Sequence, residues 1–549
     1  MKPTILFFLL CLCICPVQSQ ESYMFRLLLK DKGNTPFSVD KPDDFLSQKA
    51  IERRIRQKLT VDSIDLPVSP EYFEVIKNTG AAIRTYSKWV KTIVVQLTDS
   101  CIASKLRELP FVDEAYCVWK GILPKPLALM NHPNETKRKS AHSGISEVTT
   151  KEGTTGLTSE NDYGSGFDQI RLNNGHLLHN AGFRGKGVSI AVVDEGFMNV
   201  DRVSFFDQNR LIAVKSFNHE TSDPLRSGLD HGTKVLSCLL SDKPGEMTGT
   251  APEADYYLFR SETNQEEYPV EEDYWIAALE YADSLGIDIM TTSLGYFNFN
   301  DASMNHSFSQ LDGKTIPMSR AASLSASRGM LLFVAAGNEG NKQWKYITVP
   351  GDAANVITVG SIMRDSTLSA FSSTGYTADN RIKPDLVAMG SAVSVVSSDG
   401  YIIQSNGTSF ATPILAGLGA CLWEAFPDLT AFEMIKLLQT SGNRYLQPDS
   451  LFGYGIADVF KAYTQLKNET KKPENIKRQT FVYVLNDRLY INTGNTAKYE
   501  TYIYTGVGIR LLSASNSPES IDISSLPKGF YIAYIKTENK PYIQKFVKK

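Results

Sequence analysis

The sequence predicts an α/β domain with a mostly parallel sheet at the centre of the chain. A small α+β domain precedes it and a small all-β domain follows. Three observations carry this. Val188-Ser189-Ile190-Ala191-Val192-Val193 and Met330-Leu331-Leu332-Phe333-Val334-Ala335 are short, nearly continuous apolar runs, the look of parallel strands buried on both faces. Each runs into a turn with a polar side chain, Asp194-Glu195-Gly196 and Ala336-Gly337-Asn338-Glu339-Gly340. Two apolar helix patterns, Val235 to Leu240 and Ile414 to about Trp423, are suited to packing on such a sheet.

Taken in order, the chain begins with Lys2 and an apolar stretch from Ile5 to Cys15, then Pro16 and the small residue Ser19. This reads as a secretory signal peptide over residues 1–20, cut near Ser19-Gln20. The stretch is too short for a membrane span. A lipoprotein signal is the competing reading, because of Cys11, Cys13 and Cys15.

Residues 21–121 mix strand and helix patterns. Tyr23, Phe25, Leu27 and Leu29 alternate like a strand, and Ile93-Val94-Val95-Gln96-Leu97 reads as another. Asp44 to Ile55 and Ile102 to Leu109 read as helices. Residues 122–162, with Pro124, Pro126, Pro133 and a Ser/Thr/Gly/Glu-rich tract, form a linker that buries no core. Its Lys137-Arg138-Lys139 cluster is either a cut site or a solvated basic run.

The central domain carries the chemistry. A carboxylate just past the carboxyl end of a parallel strand lies on the ligand-binding edge of an open α/β sheet, which is where Asp194 falls. Asp230-His231-Gly232-Thr233 opens the first helix, and His231 is one of only seven histidines. Gly407-Thr408-Ser409-Phe410-Ala411-Thr412-Pro413 places a serine at the mouth of the second. There its hydroxyl feels the positive end of the helix. Pro413 is expected in the first turn, where a missing N–H costs nothing. Gly407 is expected to let the backbone approach closely. An Asn338 amide between glycines suits hydrogen bonding to an oxyanion, worth roughly 2.7–4 kcal/mol. Singly, each has a bland reading: a helix cap for Asp194 or Ser409, a structural histidine, a turn asparagine. Together they supply what a serine nucleophile requires, a base and a carboxylate that orients it.

The order Asp194, His231, Asn338, Ser409 is that of subtilisin-type proteases, and residues 163–467 resemble a subtilase (S8) catalytic domain. Ala191-Val192-Val193-Asp194-Glu195-Gly196, His231-Gly232-Thr233, Ala335 to Gly340, Ser293-Leu294-Gly295, Gly407 to Pro413 and Gly453-Tyr454-Gly455-Ile456-Ala457-Asp458 match family motifs in order. Glu195 and Phe410 depart from residues that are commoner there. The resemblance implies a subtilisin-like three-layer fold and a secreted serine endopeptidase made as a zymogen. It implies a catalytic triad of Asp194, His231 and Ser409, with Asn338 and the Ser409 N–H as oxyanion hole. Ser293, Leu294, Gly295, Ala336 and Gly337 would line the substrate cleft, with Glu339 at the rim of the pocket for the residue before the cut, favouring basic side chains. The substrate would be protein or peptide. Residues 21–121 would be a propeptide that blocks the cleft; an attached accessory domain is the alternative. No cofactor is needed for the chemistry. Structural calcium is common in the family, but no run of oxygen ligands assigns it here.

After a Lys/Glu-rich linker at 468–480, residues 481–549 alternate like strands between Asn, Gly and Pro turns. Ile521 to Ile532 and the terminal Lys545-Phe546-Val547-Lys548-Lys549 resemble the carboxy-terminal sorting domain of type IX secretion. That implies a Gram-negative bacterium, a secreted or surface location and contact with secretion machinery. A small stabilising or carbohydrate-binding β-sandwich is the alternative. The 549 residues carry a net charge of −3 and are 42% hydrophobic, which points away from nucleic acid and suits a soluble monomer. Removing the signal leaves Cys101, Cys117, Cys238 and Cys421, too few for a disulfide scaffold and with no zinc spacing. A catalytically silent binding protein or adhesin of the same fold is the second functional reading.

Overall fold

A computed structural model describes residues 21–121, 160–218, 223–226, 229–263, 266–470, 481–485, 487–492, 498–506, 508–515, 520–537 and 541–548. The signal peptide and most of both linkers lie outside them. The chain divides into two compact units, 1–463 and 464–549.

In the first unit, residues 22–121 build a four-stranded antiparallel sheet. Ser22–Leu29 lies between Thr92–Leu97 and Val112–Gly121, with Ala82–Ser87 at the edge. Phe25, Leu27, Ile93 and Val95 share a core with Ile76 and Leu106 of two small helices. A third helix, Gln48–Arg56, is capped by the Ser47 side chain, which accepts from the Ala50 N–H.

The central domain holds a seven-stranded parallel sheet. Its spatial order is Leu386–Met389, Ile357–Ile362, Leu331–Ala335, Ile289–Thr292, Ser189–Asp194, Asp255–Arg260, Leu211–Ser216. All six residues of Ser189–Asp194 are buried, as the unbroken apolar run requires. From this strand the chain runs first to the Leu211–Ser216 edge and back through Asp255–Arg260, then crosses to build the other side outward from Ile289–Thr292, so a crevice opens beyond the carboxyl ends of the central strands. Helices His231–Leu240 and Thr408–Ala425 pack together in one core with Ile190, Val192 and Phe333. Thr408–Ala425 is apolar on all sides and buried to Trp423, the pattern of a helix enclosed by other elements.

Three expectations change. Pro413 is not in the first turn; it is the sixth residue of a helix that begins at Thr408. Gly407 is required by conformation more than by space: its φ is +154°, while an added Cβ would meet no atom closer than 3.6 Å. Residues 160–162 and 468–470, assigned to linkers, belong to helices Glu160–Tyr163 and Val459–Thr470. The four described cysteines are free thiols.

The second unit is all-β. One sheet holds Phe481–Leu485, Arg488–Asn492 and Ser520–Asp522; the other holds Arg510–Ala514, Tyr499–Thr505, Gly529–Thr537 and Pro541–Lys548. Leu489, Ile503, Ile523, Ala533 and Ile535 form their shared core. Among the described residues, no helix is long and apolar enough to cross a membrane.

Candidate active site

Asp194 is the last residue of the Ser189–Asp194 strand and is fully buried. Its Oδ1 lies 2.7 Å from His231 Nδ1 and also accepts the Glu195 N–H at 2.9 Å. Oδ2 is buried, with no hydrogen-bond partner among the described residues. A carboxylate so poorly solvated interacts strongly with the imidazole beside it. Burial pulls the His231 pKa down, but the charge of Asp194, its hydrogen bond and the charge of Glu195 outweigh this, so the imidazole sits above its ordinary value. Burial and repulsion from Asp194 raise the Glu195 carboxyl in turn. Arg260, fully buried at the end of the neighbouring strand, fixes this turn by donating from Nε to the Glu195 carbonyl at 2.8 Å.

His231 opens its helix, and Gly232 is the reason it comes so near: a Cβ there would lie 2.4 Å from the Gly196 carbonyl. The imidazole packs on Phe410, ring centroids 5.6 Å apart. Histidine and serine helices thus converge on the end of the Asp194 strand.

The proline explains how Ser409 is held. An ordinary residue at 413 would donate its N–H to the Ser409 carbonyl, four residues back. Proline has no N–H, and the Ser293 hydroxyl donates to that carbonyl instead, at 2.7 Å. The Ser409 hydroxyl donates back to the Ser293 carbonyl at 3.3 Å. Ser293 follows the Ile289–Thr292 strand, so this reciprocal pair ties the serine turn to the sheet. A bond from nucleophile to base commonly tightens only when substrate arrives.

Asn338 follows the Leu331–Ala335 strand. Its Oδ1 accepts from the Thr408 N–H at 2.9 Å and the Thr408 hydroxyl at 3.1 Å. That fixes the amide with Nδ2 on the Gly407 side, 3.7 Å from where a Gly407 Cβ would stand. The Ser409 N–H lies in the first turn of its helix, where no intrahelical acceptor exists.

Leu294, Gly295, Ala336 and Gly337 lie beside this centre. Thr348 stands between the two glycines: an added Cβ would meet its Oγ1 at 2.1 Å from Gly295 and its Cγ2 at 2.8 Å from Gly337. Tyr296 and Val349 exchange backbone hydrogen bonds at 2.9 and 3.0 Å. Glu339 pairs with Lys342 at 2.9 Å. Sequence reasoning missed Thr348, Arg260 and the bracing roles of Thr408 and Ser293. Thr408 and Ser293 sat inside recognised motifs; the other two carried no signal.

Glu262, Glu267 and Glu271 each bring one carboxylate oxygen within 4.8 Å of the others. Burial pushes Glu271 up to about 8 and Glu267 to about 7. Calcium needs six to eight oxygens. Glu271 is already engaged by the Thr263 N–H and hydroxyl and the Tyr268 N–H, and Glu262 by the Tyr296 and Ser261 hydroxyls. The trio therefore suits shared protons better than calcium.

A buried aspartate bonded to a partly exposed histidine, a serine at a helix mouth and an oriented amide, all at the switch point of a parallel sheet, define a serine-hydrolase class of site. Comparison with known proteins relates three stretches of the chain to described families. The subtilase family model matches residues 185–455, the Bacteroidota S8 propeptide domain matches 24–138, and the secretion-system C-terminal sorting domain matches 485–549. Residues 185–455 belong to the subtilase family. Serine protease AprX of Bacillus subtilis is 30% identical over 305 residues, covering 50% of this chain and 66% of that protein. Subtilisin E of the same species is 27% identical over 300 residues, covering 54% and 69%. Human membrane-bound transcription factor site-1 protease is 29% identical over 307 residues, 54% of this chain but only 26% of that protein. The epidermin leader peptide processing protease of Staphylococcus aureus shares the fold, with a TM-score of 0.55 at 16% identity over 81% of this chain and 98% of that one.

Proposed function

We propose that the chain is a serine endopeptidase made as a zymogen and exported, with residues 21–121 as propeptide and 481–549 directing export through a type IX system. The observation that carries the enzyme reading is the buried Asp194 carboxylate 2.7 Å from His231 Nδ1, beside a serine in the first turn of a buried helix. Ser409 Oγ attacks the scissile carbonyl while His231 takes its proton. The oxyanion is held by Asn338 Nδ2 and the Ser409 N–H. As the intermediate collapses, His231 protonates the leaving amine, and water then repeats the cycle on the acyl-enzyme. Asp194 fixes the tautomer of His231 and stabilises its charged form. Nucleophile, base and charge stabiliser all come from the chain, so no step uses a cofactor. The substrate is an extended peptide pairing beside Ser293–Gly295. Glu339 at the pocket rim favours a basic residue before the cut, an effect that pairing with Lys342 reduces.

Fluorophosphonate labelling with intact mass tests this, beside Ser409→Ala. Labelling of wild type alone is the expected result. A wild type that stays unlabelled after residues 21–121 have been removed would favour a silent binding protein.

A further inference from the structure

Among the described residues the N-terminal domain touches the catalytic domain in two places, and one of them lies far from the active site. Along helix Val270–Leu285, Arg26 is buried against Asp273 and Glu272, and Glu280 accepts from the Lys88 and Trp89 N–H groups. At this end the domain reaches toward the cleft, with Lys120 bonded to Asp301 and Trp119 packed on Tyr268.

The second place is the opposite edge of the sheet. Residues 47–57 sit on the turns that start the Ser189–Asp194, Ile289–Thr292 and Leu331–Ala335 strands, whose other ends carry Asp194, Ser293 and Asn338. Six residues of strand put roughly 16 Å between the two edges. The Ser47 N–H donates to the Ser284 carbonyl at 2.9 Å, and Lys49 Nζ to Ser189 Oγ at 2.8 Å. Arg53 reaches the Ile287 carbonyl, the Asp283 carboxylate and the Arg328 carbonyl. Arg54 bridges Asp283 and Asp65 at 2.9 and 2.8 Å, and Arg328 of the catalytic domain returns to Asp65 and Asp62 at 2.8 and 2.9 Å. Gln57 donates to the Gly329 carbonyl and accepts from the Ala431 N–H.

This seat is shaped for a helix. A Cβ at Gly286 would stand 2.5 Å from the Ala50 nitrogen and 2.6 Å from the Lys49 carbonyl carbon. Arg53, Arg54, Asp65, Asp283 and Arg328 are all at most 3% exposed. Buried charge pairs of this kind slow dissociation.

We propose that the amino-edge seat formed by residues 283–288, 328–329 and 431 is a docking site for helix Gln48–Arg56 that works independently of the cleft. Through it the N-terminal domain stays attached as a separate subunit once the chain is cut between 122 and 159. The proposal rests on the zymogen reading. It assigns a role to a contact that blocking the cleft does not need.

The test uses the full chain as Ser409→Ala, so that it reads association and not activity. Limited trypsin cuts at the Lys137–Lys139 cluster, and native mass spectrometry with size exclusion follows the two pieces. The parent is expected to remain a two-chain complex. Arg53→Gln/Arg54→Gln is expected to lose the N-terminal piece about a hundredfold faster. Gly286→Ala does the same from the catalytic side, with the N-terminal domain unaltered, and decides alone if the double variant does not accumulate. Pieces that part in the cut parent, or variants that hold on as the parent does, would overturn the proposal. Failure of the enzyme reading shows separately, in fluorophosphonate labelling of the unsubstituted serine.

Discussion

The Ser293–Ser409–Pro413 arrangement makes a prediction that ordinary helix packing does not. Ser293→Ala removes the donor to the Ser409 carbonyl and leaves a buried acceptor empty, which costs about 1–3 kcal/mol. Pro413→Ala removes buried ring atoms but restores an N–H that can reach the same carbonyl. In the double variant the new N–H takes the place of the lost hydroxyl. The two substitutions should therefore couple, with the double variant more stable than the sum of the singles by about 1–2 kcal/mol. At roughly 2–4 °C per kcal/mol for a domain of this kind, that is a few degrees in Tm. The assay is scanning calorimetry of all four forms in a Ser409→Ala background, which keeps the backbone carbonyl and prevents self-digestion. In the active background, Ser293→Ala should also lower kcat, with partial recovery in the double variant. Strict additivity of the two substitutions would refute the reasoning, because it would mean the proline and the hydroxyl do not share that carbonyl.

Other outcomes follow from the site. Glu195→Gln removes a charge that raises His231, whose neutral form is the base, so the acid limb of kcat/KM against pH should move to lower pH; a limb that stays put or moves up would contradict the assignment. Asn338→Ala should lower kcat about 10²–10³-fold with little change in KM, read by steady-state kinetics on a peptide amide. Gly407→Ala forces an L-residue into a φ of +154° and should cost about 1–3 kcal/mol, visible as a lower Tm and weaker fluorophosphonate labelling. Gly295→Ala places a Cβ 2.1 Å from Thr348 Oγ1 and should narrow the pocket, raising KM most for substrates with large residues before the cut.

The sequence by itself determined the architecture and pointed to the candidate functional groups. Apolar runs such as Val188–Val193 are legible because a strand buried on both faces must be apolar at every position, and the structure has Ser189–Asp194 buried throughout. Asp194, His231, Asn338 and Ser409 are legible because each lies at or just beyond the end of an element and within two residues of a glycine, where backbone constraint leaves a local signature. What only tertiary structure decided are the contacts between segments far apart in the chain. Pro413 read as a harmless first-turn proline until the helix start and the Ser293 hydroxyl were both in place. Thr348 lies more than fifty residues from Gly295, and no local pattern announces that they touch. Arg53 and Arg54 fall in the stretch from Asp44 to Ile55, which in sequence reads simply as a helix. Their burial depends on Asp283, Asp65 and Arg328 arriving from three other segments. Local propensity and periodicity are properties of neighbours in sequence, whereas desolvation and ion pairing depend on neighbours in space.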